Sequence, residues 1–302
     1  MCSLVQYTEY IMHVAAATAS DNIQRMLNRY SIELHPGDSK AHEIARGRLR
    51  PSTEVFLPWI PGADPTDLVK AAAQLRRAGM LPVPHIGARH LESSAQLEQL
   101  AARLAGDAGV DRILLIGGDR AKPAGPYHSS LAVMQSEVFQ KMGITRTAIA
   151  GFPEGNPNIA DSALAEALRA KVRFAHHAGL ELSMVTQFCF AAEPIVSWLQ
   201  RLRAQGIENP VRVGLAGPAS VATLARYAVR CGIGNSLHVL SEHPCIAKLL
   251  SEKGPEPIIR DMAAEAGAGE NGSLPLRIAG LHFFVFGGFR KTVDWITAQR
   301  PD

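Results

Sequence analysis

Short apolar runs that end on a polar side chain recur along the chain at near-regular intervals. Eight of them read as strands: Ser31–His35, Glu54–Ile60, Leu81–Ile86, Arg112–Ile116, Thr147–Phe152, Leu182–Phe190, Val211–Leu215 and Leu281–Phe286. Runs of this length without strict alternation are what a parallel strand buried on both faces requires. Between them the apolar spacing becomes helical, which predicts helices from Asp64 to Gly79, Ser93 to Gly106, Asp161 to Gly179, Pro194 to Gly206 and Ser220 to Gly232. The first carries its own boundaries. Asp64 is an N-cap, Pro65 fits the first turn, Leu68, Ala71, Ala72 and Leu75 share one face, and Gly79 ends the helix.

Strand, helix, glycine, strand is the βα alternation of a parallel sheet, which either closes into a barrel or stays open with helices on both faces. Eight strands in 302 residues favour an α/β fold of the (β/α)8 TIM-barrel type, a single domain over residues 1–302 in which residues 1–30 form an N-terminal helical extension. No G-x-G-x-x-G or Walker-type glycine motif opens a helix after the first strand, which weakens the open nucleotide-binding alternative. The long stretch between the seventh and eighth strands holds Cys245–Glu252, Ile258–Ala266 and a loop, Gly267–Leu274, expected to be the most mobile element.

Composition excludes several classes. With 47% apolar and 20% charged residues the chain is globular, and a formal net charge of +3 without a basic run interleaved with aromatics gives no nucleic-acid surface. Cys2, Cys189, Cys231 and Cys245 lie far apart with no CxxC spacing, so neither a zinc site nor a disulfide framework is expected. No basic n-region opens the chain, and the longest apolar run, near Ile278 to Phe289, is too short to span a bilayer. The expectation is a cytoplasmic protein with a small-molecule ligand, no membrane partner, and no bar to a homo-oligomer.

In a (β/α)8 barrel the reacting groups sit at the carboxyl ends of the strands. Here those ends carry Glu33 in Ser31-Ile32-Glu33-Leu34-His35-Pro36, His85 in Pro84-His85-Ile86, Asp119 in Ile116-Gly117-Gly118-Asp119, Phe152-Pro153-Glu154-Gly155-Asn156-Pro157, Gln187 in Thr186-Gln187-Phe188, and His282-Phe283-Phe284. In this order the motifs resemble those of the methylenetetrahydrofolate reductase family, over most of the chain: S-F-E-F-F-P, P-H-L, R-G-D, Y-P-E-x-H-P, I-T-Q-F and H-F-Y. The resemblance implies a barrel that interconverts 5,10-methylenetetrahydrofolate and 5-methyltetrahydrofolate by hydride transfer, with FAD and NAD(P)H. Carried over, Glu33 is the general acid that opens the five-membered ring, and a carboxyl in an apolar barrel mouth has the raised pKa this needs. Asp119 lies between flavin and pterin, Gln187 bonds the pterin, and Phe284 falls on the substrate side. His85, Gly118, Tyr127 and Ser129 fall at cofactor positions, with Gly118 suited to close backbone approach.

The departures from the family pattern cluster on the flavin. Its tyrosine and histidine are here Phe152 and Asn156, its arginine before Gly-Asp is Gly117, and its helix lysine falls on Ala175, with Lys171 one turn earlier. H-F-Y-T-L-N-R becomes His282-Phe283-Phe284-Val285-Phe286-Gly287-Gly288, without the tyrosine and the arginine. The expectation is weak or absent FAD, the nicotinamide then delivering hydride directly. The alternative from another class is a non-redox folate-dependent one-carbon transferase or folate-binding barrel.

Each site residue also has a structural reading. Glu33 could pair with an arginine such as Arg89 or Arg212, Asp119 could cap a turn, Gln187 could serve loop backbone, and His85 could be a satisfied structural histidine. Trp59 is either core or a stacking platform. His35, His282 and the His176-His177 pair share no metal-ligand spacing, so no metal is expected.

Overall fold

The computed structural model describes residues 19–59, 62–231, 254–265 and 275–300. Eight parallel strands, β1 (Ser31–Glu33), β2 (Glu54–Leu57), β3 (Leu81–Gly87), β4 (Arg112–Ile116), β5 (Arg146–Gly151), β6 (Glu181–Thr186), β7 (Val211–Ala216) and β8 (Ile278–Phe284), close in sequential order into a barrel. Helices alternate with them. Residues 19–28 form α1, followed by α2 (Ser39–Arg48), α3 (Pro65–Arg77), α4 (Ser94–Gly106), α5 (Ser130–Gln135), α6 (Val138–Lys141), α7 (Asp161–His177), α8 (Glu193–Ala204), α9 (Val221–Cys231), α10 (Glu256–Glu265) and α11 (Phe289–Ala298). The (β/α)8 architecture read from the sequence is thus the one present.

Helix α3 forms for the reasons its sequence gives. The Asp64 carboxylate accepts from the Thr66 backbone N–H at 2.8 Å, Leu68, Ala71, Ala72 and Leu75 are buried, and Gly79 follows with φ +81°. Several boundaries differ from the apolar runs. Strand β1 stops at Glu33, although the Leu34 N–H still donates to the Phe56 carbonyl at 2.8 Å. Strand β6 stops at Thr186, and Phe188, Cys189 and Phe190 beyond it are buried in a loop. Strand β8 runs three residues earlier than expected and ends at Phe284; Phe286 turns away with φ +47°. Ile60, residues 1–18, the Cys245–Glu252 segment and the Gly267–Leu274 loop lie outside the described residues.

The chain divides into two compact units, residues 31–186 and residues 1–30 with 187–302. The first contains β1 to β6. One face of its sheet carries Phe56, Val83, Leu114, Ala148 and Val185 as a buried apolar layer, with Ile116 packed against it. Strand period places Glu54, Arg112 and Arg146 two residues before this layer, and register places Glu33 opposite Phe56 and His85 beside Leu114. In the second unit, α1 is tied to the β7–β8 pair. Tyr30 meets the Phe283 ring edge-on at 6.3 Å, the Arg212 guanidinium donates to the Arg29 carbonyl at 2.6 Å, and a Cβ on Gly280 would lie 1.9 Å from that same oxygen.

Candidate active site

In the unit of residues 31–186, two pairs of polar side chains gather at the carboxyl ends of the strands. Glu33 ends β1, and its Oε1 lies 4.0 Å from Nε2 of His85, which β3 delivers from the same face. His85 is buried and its ring meets Phe56 edge-on at 5.8 Å. Glu33 keeps one fifth of its side-chain surface. Burial above an apolar layer drives the Glu33 pKa up from its ordinary 4.5, and His85 opposes this only in part. A carboxyl in that position holds its proton at a pH where a solvated one has lost it. Arg89, one of the arginines considered for Glu33, is occupied elsewhere: its Nε donates to the His128 carbonyl at 3.1 Å and its Nη1 to the Arg120 carbonyl at 3.2 Å.

The second pair is Asp119 and His90, with Oδ1 and Nε2 2.8 Å apart. Sequence reading missed His90, which lies in the single 3-10 turn (Ala88–His90) that follows β3. Its ring is seated on two glycines. A Cβ on Gly87 would stand 2.7 Å from His90 Cδ2, and one on Gly118, where φ is +89°, would stand 2.9 Å from the same atom. Trp59 lies beside the imidazole, its ring centroid 6.3 Å away. The signal in the sequence was the glycines themselves, Gly87 at a strand end and Gly117-Gly118 at the next, which mark close approach to something bulky.

Three more of the residues that the resemblance assigns to the cofactor, Tyr127, Ser129 and Asn156, have hydrogen-bond partners within the chain. The buried Tyr127 donates its hydroxyl to Ser94 Oγ at 3.2 Å, and Ser129 caps α5 by accepting from the Ala132 N–H at 3.2 Å. Asn156 Oδ1 accepts from the Asn158 N–H at 2.9 Å, inside a turn that begins where the Phe152 carbonyl accepts from the Gly155 N–H. Phe152 is half-buried. Lys171, on α7, has no hydrogen bond or ion pair among the described residues, and burial lowers its pKa. His176 and His177 meet each other edge-on, both exposed.

Gln187 and Phe284 belong to the other unit. Gln187 Oε1 accepts from the Phe188 N–H at 3.1 Å, so part of the amide serves the loop backbone. Phe284 joins an aromatic cluster: Phe188 lies 5.5 Å from it and 5.0 Å from Phe286, which stacks on Tyr227 at 4.2 Å. His282 is buried against Phe284 at 4.8 Å. Among the described residues no group of three or more His, Cys, Asp or Glu could hold a metal ion. No helix among them is long and apolar enough to cross a membrane.

No protein-family model matches the chain. A solved structure to which it is similar is that of a conserved protein of unknown function from a locus in Enterococcus faecalis, at 12% identity and a TM-score of 0.38. The match covers 63% of this chain and 49% of that one, so the chain spans about half the length of that neighbour. A likeness this distant says nothing of the site.

Proposed function

We propose that the protein is a methylenetetrahydrofolate reductase-like oxidoreductase that interconverts 5,10-methylenetetrahydrofolate and 5-methyltetrahydrofolate. One observation carries the reading: a carboxyl at the end of β1, its pKa raised by burial, stands 4.0 Å from an imidazole. Opening the imidazolidine ring needs an acid that keeps its proton to higher pH than a solvated carboxyl, and burial shifts Glu33 that way. In the reducing direction Glu33 gives its proton to the departing folate amine as the C–N bond breaks, which leaves an iminium at the other nitrogen. Hydride from NAD(P)H adds to the methylene carbon, and the Glu33 carboxylate takes a proton back from water. The exposed Asp119 carboxylate supplies negative charge for the cationic stage.

FAD is the group the resemblance implies, and the residues at its positions do not fit it. Tyr127, Ser129 and Asn156 spend polar groups inside the chain, and the His90 ring occupies the space beside Gly118 that the missing Cβ leaves. Among the described residues at these positions, Lys171 makes no hydrogen bond or ion pair, and burial works against its charged form. No step of the proposal passes through a flavin.

The test is turnover of 5,10-methylenetetrahydrofolate with NADH or NADPH, with and without added FAD. Glu33→Gln is expected to stay folded and to lose about 100-fold or more in kcat, the usual scale for a general acid. Wild-type turnover by the folded variant rejects the assignment of Glu33. A purified protein with one tightly held flavin per chain rejects direct transfer.

A further inference from the structure

We propose that His90 is the positioning residue of Asp119, holding one carboxylate oxygen so that the other faces a substrate N–H donor or cation. The inference rests on the reading of Asp119 as a ligand-contacting carboxylate. His90 has no place in the motifs that suggested the function.

The geometry inverts the usual histidine–carboxylate arrangement. In a hydrolase triad the carboxylate is buried and orients an imidazole that reacts. Here the His90 side chain is 11% exposed and Asp119 is 69% exposed, so the imidazole is the anchor and the carboxylate is the group presented. The anchor has little freedom, since its ring lies against the Cα atoms of Gly87 and Gly118 and any side chain at either would collide with Cδ2. The backbone around Asp119 is tied as well. The Arg89 N–H donates to the Gly117 carbonyl at 2.9 Å, and the Arg89 guanidinium donates to the Arg120 carbonyl. With both flanks fixed, the freedom left to Asp119 is rotation about its own side-chain bonds, and the contact to His90 removes it. Among the described residues this is the only hydrogen bond Asp119 makes.

A carboxylate only accepts, so the contact requires a proton on Nε2, and neutral His90 is the Nε2–H tautomer. Oδ2 is left to the ligand. A carboxylate placed in this way suits a partner that bears N–H groups or develops positive charge, and it would repel an anionic one.

The experiment combines a spectroscopic and a kinetic arm. Imidazole nitrogen NMR of labelled wild type is expected to show neutral His90 as the Nε2–H tautomer, and Asp119→Ala is expected to release it into a tautomer mixture. A mixture already in wild type, or no change in Asp119→Ala, overturns the dyad. In the assay with 5,10-methylenetetrahydrofolate, His90→Phe keeps the ring on the glycines without the donor and is expected to lose about 10- to 100-fold in kcat, the scale of a misplaced group. His90→Gln, whose amide reaches the same point, is expected to recover most of it. Wild-type kcat in His90→Phe, or no recovery in His90→Gln, overturns the positioning role. A wild type that does not turn over the folate defeats the functional reading instead, and the tautomer arm then decides the dyad alone.

Discussion

The two ends of the β1–β6 sheet treat their carboxyls in opposite ways. At the amino ends, Glu54, Arg112, Asp111, Arg146 and Glu181 form a continuous lattice, with Arg112 bound to both Glu54 and Asp111 and Arg146 to both Asp111 and Glu181. There the hydrogen bond from Arg112 pulls the Asp111 pKa below the ordinary carboxylate value. At the carboxyl ends, burial pushes that of Glu33 above it. Within one sheet, one carboxyl is biased toward its anion and the other toward its protonated form. Opposed environments of this kind separate structural from reactive groups, and in barrels the split follows strand direction.

The comparison can be broken from either end. The largest effect is expected at the amino ends: Arg112→Leu removes the guanidinium shared by Glu54 and Asp111, whose partly buried carboxylates then lose their common cation. Its unfolding free energy in urea should fall by about 3 kcal/mol, with kcat unchanged. A loss below about 1 kcal/mol, the range of exposed pairs, would reduce the lattice to surface decoration.

The second effect is pH-dependent. A carboxyl with a raised pKa favours the folded state fully at low pH, and that contribution is lost as pH climbs from its ordinary 4.5 through the raised value. Glu33→Gln has no such loss. Thermal melts should therefore find it more stable than wild type at pH 8, with the margin closing near pH 4. A margin that grows toward low pH would mean that Glu33 is held as an anion, as Asp111 is.

The smallest effect separates a cofactor contact from a strap. Tyr127→Phe deletes the hydrogen bond to Ser94 and leaves the ring in place, so stability should drop by about 0.5–1.5 kcal/mol. If the proposed function holds, the KM for NAD(P)H should not move. A several-fold rise in that KM at unchanged stability would return Tyr127 to the cofactor.

What the sequence disclosed follows from what each element buries. Strands β2 to β5 and helix α3 bury continuous apolar runs or faces, and their positions were legible within a few residues. Helix α2 was not, because only Ala41 and Ala45 of its ten residues are buried and its pattern is mostly polar. The run Phe188-Cys189-Phe190 misled in the other direction, since a buried loop and a buried strand are equally apolar. For the site, Glu33 and His85 stand on strands whose register could be counted. His90 does not. It meets Asp119 across 29 positions through a turn whose only mark is the absence of side chains at Gly87 and Gly118.

Gly125 has a bearing on how this protein could change its diet. A Cβ there would stand 2.2 Å from the Glu92 carbonyl oxygen, so the loop after Asp119 is fastened by main chain at 124–125 and by the Arg89 guanidinium at 120 and 128. Between those rivets, Arg120, Ala121, Lys122 and Pro123 are exposed. Their side chains are interchangeable parts on a fixed bracket. On the proposed reading, new ligand preferences could be tried at those four positions by simple substitution, without disturbing Glu33 on the first strand.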